Sequence, residues 1–210
     1  MMSDARHTRR AQGVGEPAEF TFAELDWTPW LDPLPESELT ERHRDGLVDA
    51  ARAKSPYFML LARDPDILGA RTRSDKDIFY NTDGGLPRRE RELAAVAVSR
   101  FNGCIFCASV HARFSELQGG DHETIAALLR DGTLPADAPA PWLLTAETAE
   151  RLSATPVEFS AVHVAALREA GFDDAAILDL INSASFFNWA NRLMLSLGFP
   201  SGKTGSDRDA

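Results

Sequence analysis

From Ser37 onward, apolar residues recur at three- and four-residue steps with little alternation of period two, a pattern that predicts helices rather than strands. Leu39, His43, Leu47 and Ala50 form a first stripe that Ser55-Pro56 ends, and Pro56 can open a short apolar helix through Tyr57, Leu60 and Leu61. Asp64-Pro65 begins the next, running through Ile67, Leu68, Ile78 and Phe79 until Asp83-Gly84-Gly85 breaks it. Pro87 suits the first turn of a helix carrying Arg88 to Phe101, in which Leu93 to Val98 is apolar on every side and should be deeply buried.

After a further helix, Gly119-Gly120 stops the chain and Asp121 can cap a helix from Glu123 to Arg130. The Pro-rich stretch Pro135 to Pro141 is a candidate hinge, beyond which Trp142, Leu143, Ala146 and Leu152 pattern a helix. Thr155-Pro-Val-Glu158 reads as a capping box opening a helix that ends at Gly171. Asp173 then begins a long helix to Leu197, with Ile177, Leu180, Ile181, Ala184, Phe187, Leu193 and Leu197 facing inward. The expected architecture is an all-α helical bundle.

The polar, Gly- and Pro-containing ends, residues 1–20 and 201–210, are expected to be flexible tails around one all-helical domain over 21–200. Trp27, Trp30 and Leu31, among Pro29, Pro33 and Pro35, suggest an extended arm laid on a neighbouring surface, its own or another subunit's. With 210 residues and 44% hydrophobic content the chain can bury a substantial core. Lys+Arg 22 against Asp+Glu 32 gives a net charge of −10, which argues against nucleic acid and anionic membrane surfaces as partners. The first twenty residues lack the apolar segment of a secretory signal, and the Leu93–Val98 run is too short to span a bilayer. A cytoplasmic location is expected, where two closely spaced cysteines are more often catalytic or metal-binding than a structural staple.

Those cysteines lie in Phe101-Asn-Gly-Cys104-Ile-Phe-Cys107-Ala-Ser-Val-His111. If Asn102 or Gly103 caps a helix, Cys104, Cys107 and His111 fall within an arc of roughly 60° on one face. Cys104 in the first turn would have its thiolate favoured by unpaired N–H groups and the helix dipole. His111, one turn beyond Cys107, can exchange that thiol's proton. The two arguments point to different cysteines as the nucleophile. The dipole is worth roughly 0.3–1 kcal/mol when exposed, whereas a placed base contributes about 10²-fold or more, which favours Cys107.

Glu92 precedes Cys104 with eleven residues between, giving Glu92-x11-Cys104-x-x-Cys107-x3-His111. This resembles the signature of the AhpD-like alkylhydroperoxidases in the carboxymuconolactone decarboxylase superfamily. The likeness is clearest over about 56–130, the part carrying the redox helices. It extends to Asn188 and Asn191-Arg192 in the C-terminal helical part, about 140–198. The chain as a whole looks most like the subgroup of peroxidase-related proteins.

The resemblance implies an AhpD-like helical bundle that assembles as a homo-oligomer: dimer, trimer or hexamer. It implies a thiol-dependent peroxidase with peroxiredoxin activity, using no cofactor beyond a redox-active disulfide between Cys104 and Cys107. Cys107 would attack a peroxide, Cys104 would resolve the sulfenic acid, and an external dithiol protein would restore the pair. His111 would be the proximal base and Glu92 the outer member of a proton relay. Ile105 and Phe106 stand where characterised peroxidases often carry a polar or histidine residue, so one proton carrier is absent.

Alternatives from other classes are a thiol–disulfide oxidoreductase without peroxidase activity, a zinc module using Cys104, Cys107, His111 and Glu92, and a non-redox, decarboxylase-like member. Closed zinc sites usually draw ligands from two separated segments, whereas three of these lie on one helix. His7, His43, His122 and His163 lack partners in sequence, and Phe186, Phe187 and Trp189 read as core or subunit interface. No Gly-rich phosphate loop precedes a helix, so no nucleotide cofactor is indicated.

Overall fold

The apolar run Leu93–Val98 lies at the centre of the molecule, with all six side chains fully buried. It belongs to α4 (Arg88–Asn102), seen in a computed structural model that describes residues 17–83 and 85–202. Around it are α1 (Glu41–Leu47), α2 (Pro56–Leu61), α3 (Pro65–Tyr80), α5 (Ile105–Leu117), α6 (His122–Asp131), α7 (Ala140–Ser153), α8 (Ala161–Glu169) and α9 (Asp174–Leu197). Helices α5, α7 and α9 pack directly on α4, which accounts for its having no polar face along this stretch. The fold is all-α, as the periodicity predicts.

The helix starts are chemically specified. The side chains of Asp64, Asp121 and Asp173 accept hydrogen bonds from the backbone N–H groups of Ile67 at 3.4 Å, Thr124 at 2.8 Å and Ala176 at 2.7 Å. Each satisfies a donor the first helical turn cannot. The Pro-rich stretch joins α6 to α7 within one packed unit. Ile125 and Leu128 before it and Trp142 and Ala146 after it belong to the same core, against which Leu134 also packs, so it does not separate two halves.

Two local expectations are corrected. The capping box at Thr155 to Glu158 does not start a helix. Glu158 N–H instead bonds the Arg151 carbonyl at 2.9 Å, and Phe159, partly buried, packs against the core. Helix α8 begins at Ala161, where the Ser160 N–H donates to His163 Nδ1 at 3.0 Å. His43 caps α1 in the same way, accepting from the Thr40 N–H at 3.1 Å.

The second correction concerns the C-terminal tail, whose first two residues pair with the expected extended arm. Residues Leu25–Pro29 form a strand, β1, paired antiparallel with β2 (Gly198–Gly202), Trp27 standing opposite Pro200. Trp27 is buried against Tyr57, with ring centroids 5.3 Å apart, while Trp30 is exposed. Five residues are too few for period-two alternation to register in the sequence. The ribbon includes Ser201 and Gly202; residues 1–16 and 203–210 of the expected tails lie outside the described residues.

The charged start of α4 is the feature that most directly positions the site. Glu90, Arg91 and Glu92 are all buried. Arg91 donates from Nη1 to the carbonyls of Ile78 (2.8 Å) and Asn81 (2.9 Å), and from Nε to that of Leu86. It also pairs through Nη2 with Asp179 at 3.1 Å. A buried guanidinium so bonded fastens the α3–α4 connection to α9. Beside it, Glu92 points toward the cysteine helix.

Candidate active site

The turn Asn102-Gly103-Cys104 closes α4 and opens α5 within two residues. Gly103 adopts φ 81°, the left-handed conformation that glycine enters at least cost. Its N–H bonds the Arg100 carbonyl at 3.3 Å while the Cys104 N–H bonds the Ser99 carbonyl at 2.8 Å, the paired bonds of a Schellman terminus. Cys104 is thus the residue before α5, with φ −87° and ψ 88°, rather than a member of its first turn. The expected preference of the helix terminus for a Cys104 thiolate is corrected accordingly.

Both cysteines are buried free thiols. Burial above all, and then the hydrogen bond its thiol donates to Cys107, push Cys104 well above the ordinary thiol range. That same hydrogen bond is the main reason Cys107 is lowered; burial opposes it, and His111, Asn191 and Arg71 add to the lowering. One proton is therefore held on Cys104 in favour of charge on Cys107. The thiol that the His111 argument selected is the one whose ionised form the surroundings favour.

His111 projects from α5 toward α4, and its Nδ1 lies 2.5 Å from Glu92 Oε2. Glu92, 1% exposed, also accepts from Arg88 Nε at 3.0 Å. Arg88 lies over the Tyr80 ring at 4.1 Å. The imidazole is enclosed by Phe187, at 4.0 Å between centroids, and by Phe79 at 5.4 Å. Arg88, Glu92 and His111 form a continuous polar line inside an aromatic wall, ending beside the dithiol.

A second polar line reaches the cysteines from α9. Asn191, fully buried, donates from Nδ2 to Ser99 Oγ at 3.1 Å, and its side chain favours the ionised form of both cysteines. Asn102 Nδ2 donates to Asn191 Oδ1 at 3.1 Å and to Asn188 Oδ1 at 2.9 Å. Tyr57 and Arg71, from α2 and α3, approach from a third direction. Burial pushes the Tyr57 phenol up to about 12, against the pull of Arg71.

All four residues singled out by the sequence, Glu92, Cys104, Cys107 and His111, therefore meet at one site. The sequence reading attached no role to Arg88, Tyr57, Arg71 or Ser99. Arg88 carried a signal in its four-residue spacing from Glu92; Tyr57 and Arg71 come from other helices and carried none. His163 is occupied at the start of α8, and His122 lies on the surface, stacked on Phe22 at 4.4 Å. Among the described residues, no three His, Cys, Asp or Glu side chains converge in a metal-binding group. No described helix is long and apolar enough to cross a membrane.

Residues 65–150 match the carboxymuconolactone decarboxylase family. The structure resembles the alkylhydroperoxidase AhpD core of an uncharacterized peroxidase-related protein from Ralstonia eutropha JMP134. The TM-score is 0.66 and the identity 25%, over 79% of this chain and 88% of that one. A peroxidase-related protein from Silicibacter sp. TM1040 gives a TM-score of 0.65 and 26% identity over 90% and 96% of the two chains. The debrominase Bmp8 shares the fold, at TM-score 0.64 and 15% identity over 80% and 90%. No curated protein matches the sequence significantly. The family match over residues 65–150 and the two peroxidase-related structures together support a place for the chain in the AhpD-like carboxymuconolactone decarboxylase superfamily.

Proposed function

We propose that this protein is a thiol-dependent peroxidase of the alkylhydroperoxidase type. The observation that carries the reading is a lowered Cys107 thiol, hydrogen-bonded by Cys104, beside a His111 held by buried Glu92. The Cys107 thiolate attacks the distal oxygen of a hydroperoxide, breaking the O–O bond. Cys107 becomes a sulfenic acid, and the departing alkoxide takes a proton to leave as an alcohol. Cys104 then attacks the sulfenic sulfur, forming the Cys104–Cys107 disulfide and releasing water. An external dithiol protein returns two electrons and two protons by exchange.

In this cycle His111 moves the protons. With Nδ1 engaged by Glu92, Nε2 is the nitrogen available for exchange with Cys107, and Glu92 holds the ring's orientation. The Phe187 and Phe79 rings exclude water from the imidazole, which strengthens its interaction with a thiolate. We place the activity in a cytoplasmic homo-oligomer, with a peroxide as substrate and no cofactor beyond the dithiol.

The test is stopped-flow mixing of reduced protein with cumene hydroperoxide while free thiols are counted. Wild type should lose two thiols per chain together, and Cys107→Ser should fail to consume peroxide. If wild-type thiols survive excess peroxide for minutes while a disulfide substrate oxidises them readily, the protein is a thiol–disulfide exchange partner instead.

A further inference from the structure

Arg71, one of the groups that favour the Cys107 thiolate, has a binding capacity that the cycle above does not use. Arg71 is 6% exposed, and its Nε and Nη1 are buried with no hydrogen-bond partner. Among the described residues no carboxylate pairs with it; Asp75 one turn along is engaged by Arg52 at 3.3 Å. Three rings surround the guanidinium instead: Phe186 at 5.1 Å, Phe58 at 5.6 Å and Tyr57 at 5.7 Å. The Tyr57 hydroxyl is buried beside Arg71, which draws the phenol down, and makes no well-formed hydrogen bond.

Aromatic faces compensate only part of what a guanidinium loses on leaving water, and unpaired buried donors are rare in folded proteins. The other buried charges near the cysteines are served: Arg91 by three carbonyls and Asp179, Glu92 by Arg88 and His111. Arg71 and Tyr57 both interact electrostatically with Cys107, so an anion seated on them would be within electrostatic reach of the reactive sulfur. Phe58, only partly buried, is the most exposed of the three rings, and the Arg52 guanidinium also lies over it at 4.5 Å. The set is a positive charge, a phenolic donor and apolar walls.

We propose that Arg71 and Tyr57 form a subsite for a carboxylate carried on an apolar body, which makes carboxylate-bearing organic hydroperoxides the preferred substrate class. The choice of hydroperoxide rests on the peroxidase reading, whereas the carboxylate subsite does not. Arg71 donates N–H groups to the carboxylate, Tyr57 adds its hydroxyl, and the Phe58 and Phe186 rings cover the body of the ligand.

Calorimetric titration of the reduced full-length protein with benzoate and with benzyl alcohol separates charge recognition from turnover. Benzoate should bind at least tenfold more tightly to wild type. Arg71→Met, which keeps an unbranched apolar stem, should lose the preference, and Arg71→Lys should keep part of it. Equal affinities in wild type overturn the proposal whether or not the variants fold. The companion assay compares a carboxylate-bearing hydroperoxide with its methyl ester, and the kcat/KM ratio of acid to ester should fall at least tenfold in Arg71→Met. If benzoate is preferred but neither hydroperoxide is consumed, the subsite stands and the peroxidase reading fails. If both are consumed with equal KM and benzoate is not preferred, the subsite fails and the peroxidase stands. An Arg71→Met protein that retains the benzoate preference while its assembly loses mass in ultracentrifugation assigns the guanidinium to a subunit contact and overturns the proposal.

Discussion

The two flanks of the dithiol treat buried polar groups in opposite ways. On the His111 flank, Arg88, Glu92 and His111 bond one another in series, with the imidazole ringed by Phe79 and Phe187. On the other flank, the Tyr57 hydroxyl and two nitrogens of Arg71 are buried beside one another with no well-formed hydrogen bond. A paired network fixes orientation in advance and suits groups that must pass a proton along a set line. An unpaired one leaves donors free to bind a ligand. On the proposed function and subsite, the difference gives internal chemistry to one flank and ligand recognition to the other.

Breaking the paired flank should have the largest effect. Glu92→Gln keeps the shape but replaces the carboxylate facing Nδ1, so His111 loses the partner that fixes its tautomer and ring orientation. We expect the second-order rate of thiol oxidation by peroxide to fall roughly 10²-fold. Glu92 acts through His111 and not on the substrate, so the discriminating readout is the pH profile. A ring no longer held toward Cys107 weakens one of the influences that lower that thiol, and the rising limb should move to higher pH. A rate within twofold of wild type with an unmoved profile would reduce Glu92 to a packing role and dissolve the contrast between the flanks.

Between the flanks sits the Cys104–Cys107 hydrogen bond, and Cys104→Ala tests it next. Cys107 is lowered chiefly by the proton Cys104 donates, so the variant's Cys107 must titrate at higher pH than in wild type. Its thiolate is present above the midpoint and lost as pH falls through it. Iodoacetamide alkylation should therefore fade at a higher pH in the variant. Ultraviolet titration of thiolate in wild type should show one group ionising below the ordinary thiol range and the other above it. An unshifted alkylation midpoint would mean that His111, Asn191 and Arg71 set the Cys107 charge without Cys104.

How much of this was legible in the sequence divides along the same line. Glu92, Cys104, Cys107 and His111 lie on two helices joined by the Asn102-Gly103 turn, so spacing along the chain carried their meeting, and Arg88 to Glu92 was a four-residue pair on one helix face. Tyr57 and Arg71 reach the site only because α2 and α3 pack back onto the core, a tertiary fact with no periodic trace. The charged run Arg88 to Glu92 would by itself suggest a solvated face. Burial of Glu90, Arg91 and Glu92 follows instead from bonds to distant partners, Asp179 and Trp142 among them. The ribbon of β1 and β2 escaped because five-residue strands joined across the whole chain leave no alternation to count. The α8 start was displaced because Thr155-x-x-Glu158 and Ser160-x-x-His163 are both credible caps, and Phe159 reaching the core decides between them.

The smallest expected effect concerns the turn that sets Cys104 between the flanks. Gly103→Ala places a Cβ on a residue at φ 81°, which costs about 1–2 kcal/mol for a residue other than glycine. For a chain of this size that corresponds to a fall of roughly 2–8 °C in Tm. The bonds from Gly103 N–H to Arg100 and from Cys104 N–H to Ser99 do not involve the added atom, so the turn should persist under strain. Calorimetry checks the stability, and the Cys107 alkylation midpoint checks the site. A lower Tm with an unmoved midpoint means the turn contributes only to the path of the chain, and the Cys104–Cys107 hydrogen bond is set by burial around the sulfurs. A midpoint that rises as it should in Cys104→Ala would mean that the left-handed glycine itself holds Cys104 in place to donate, making this backbone turn part of what separates the two thiols' acidities.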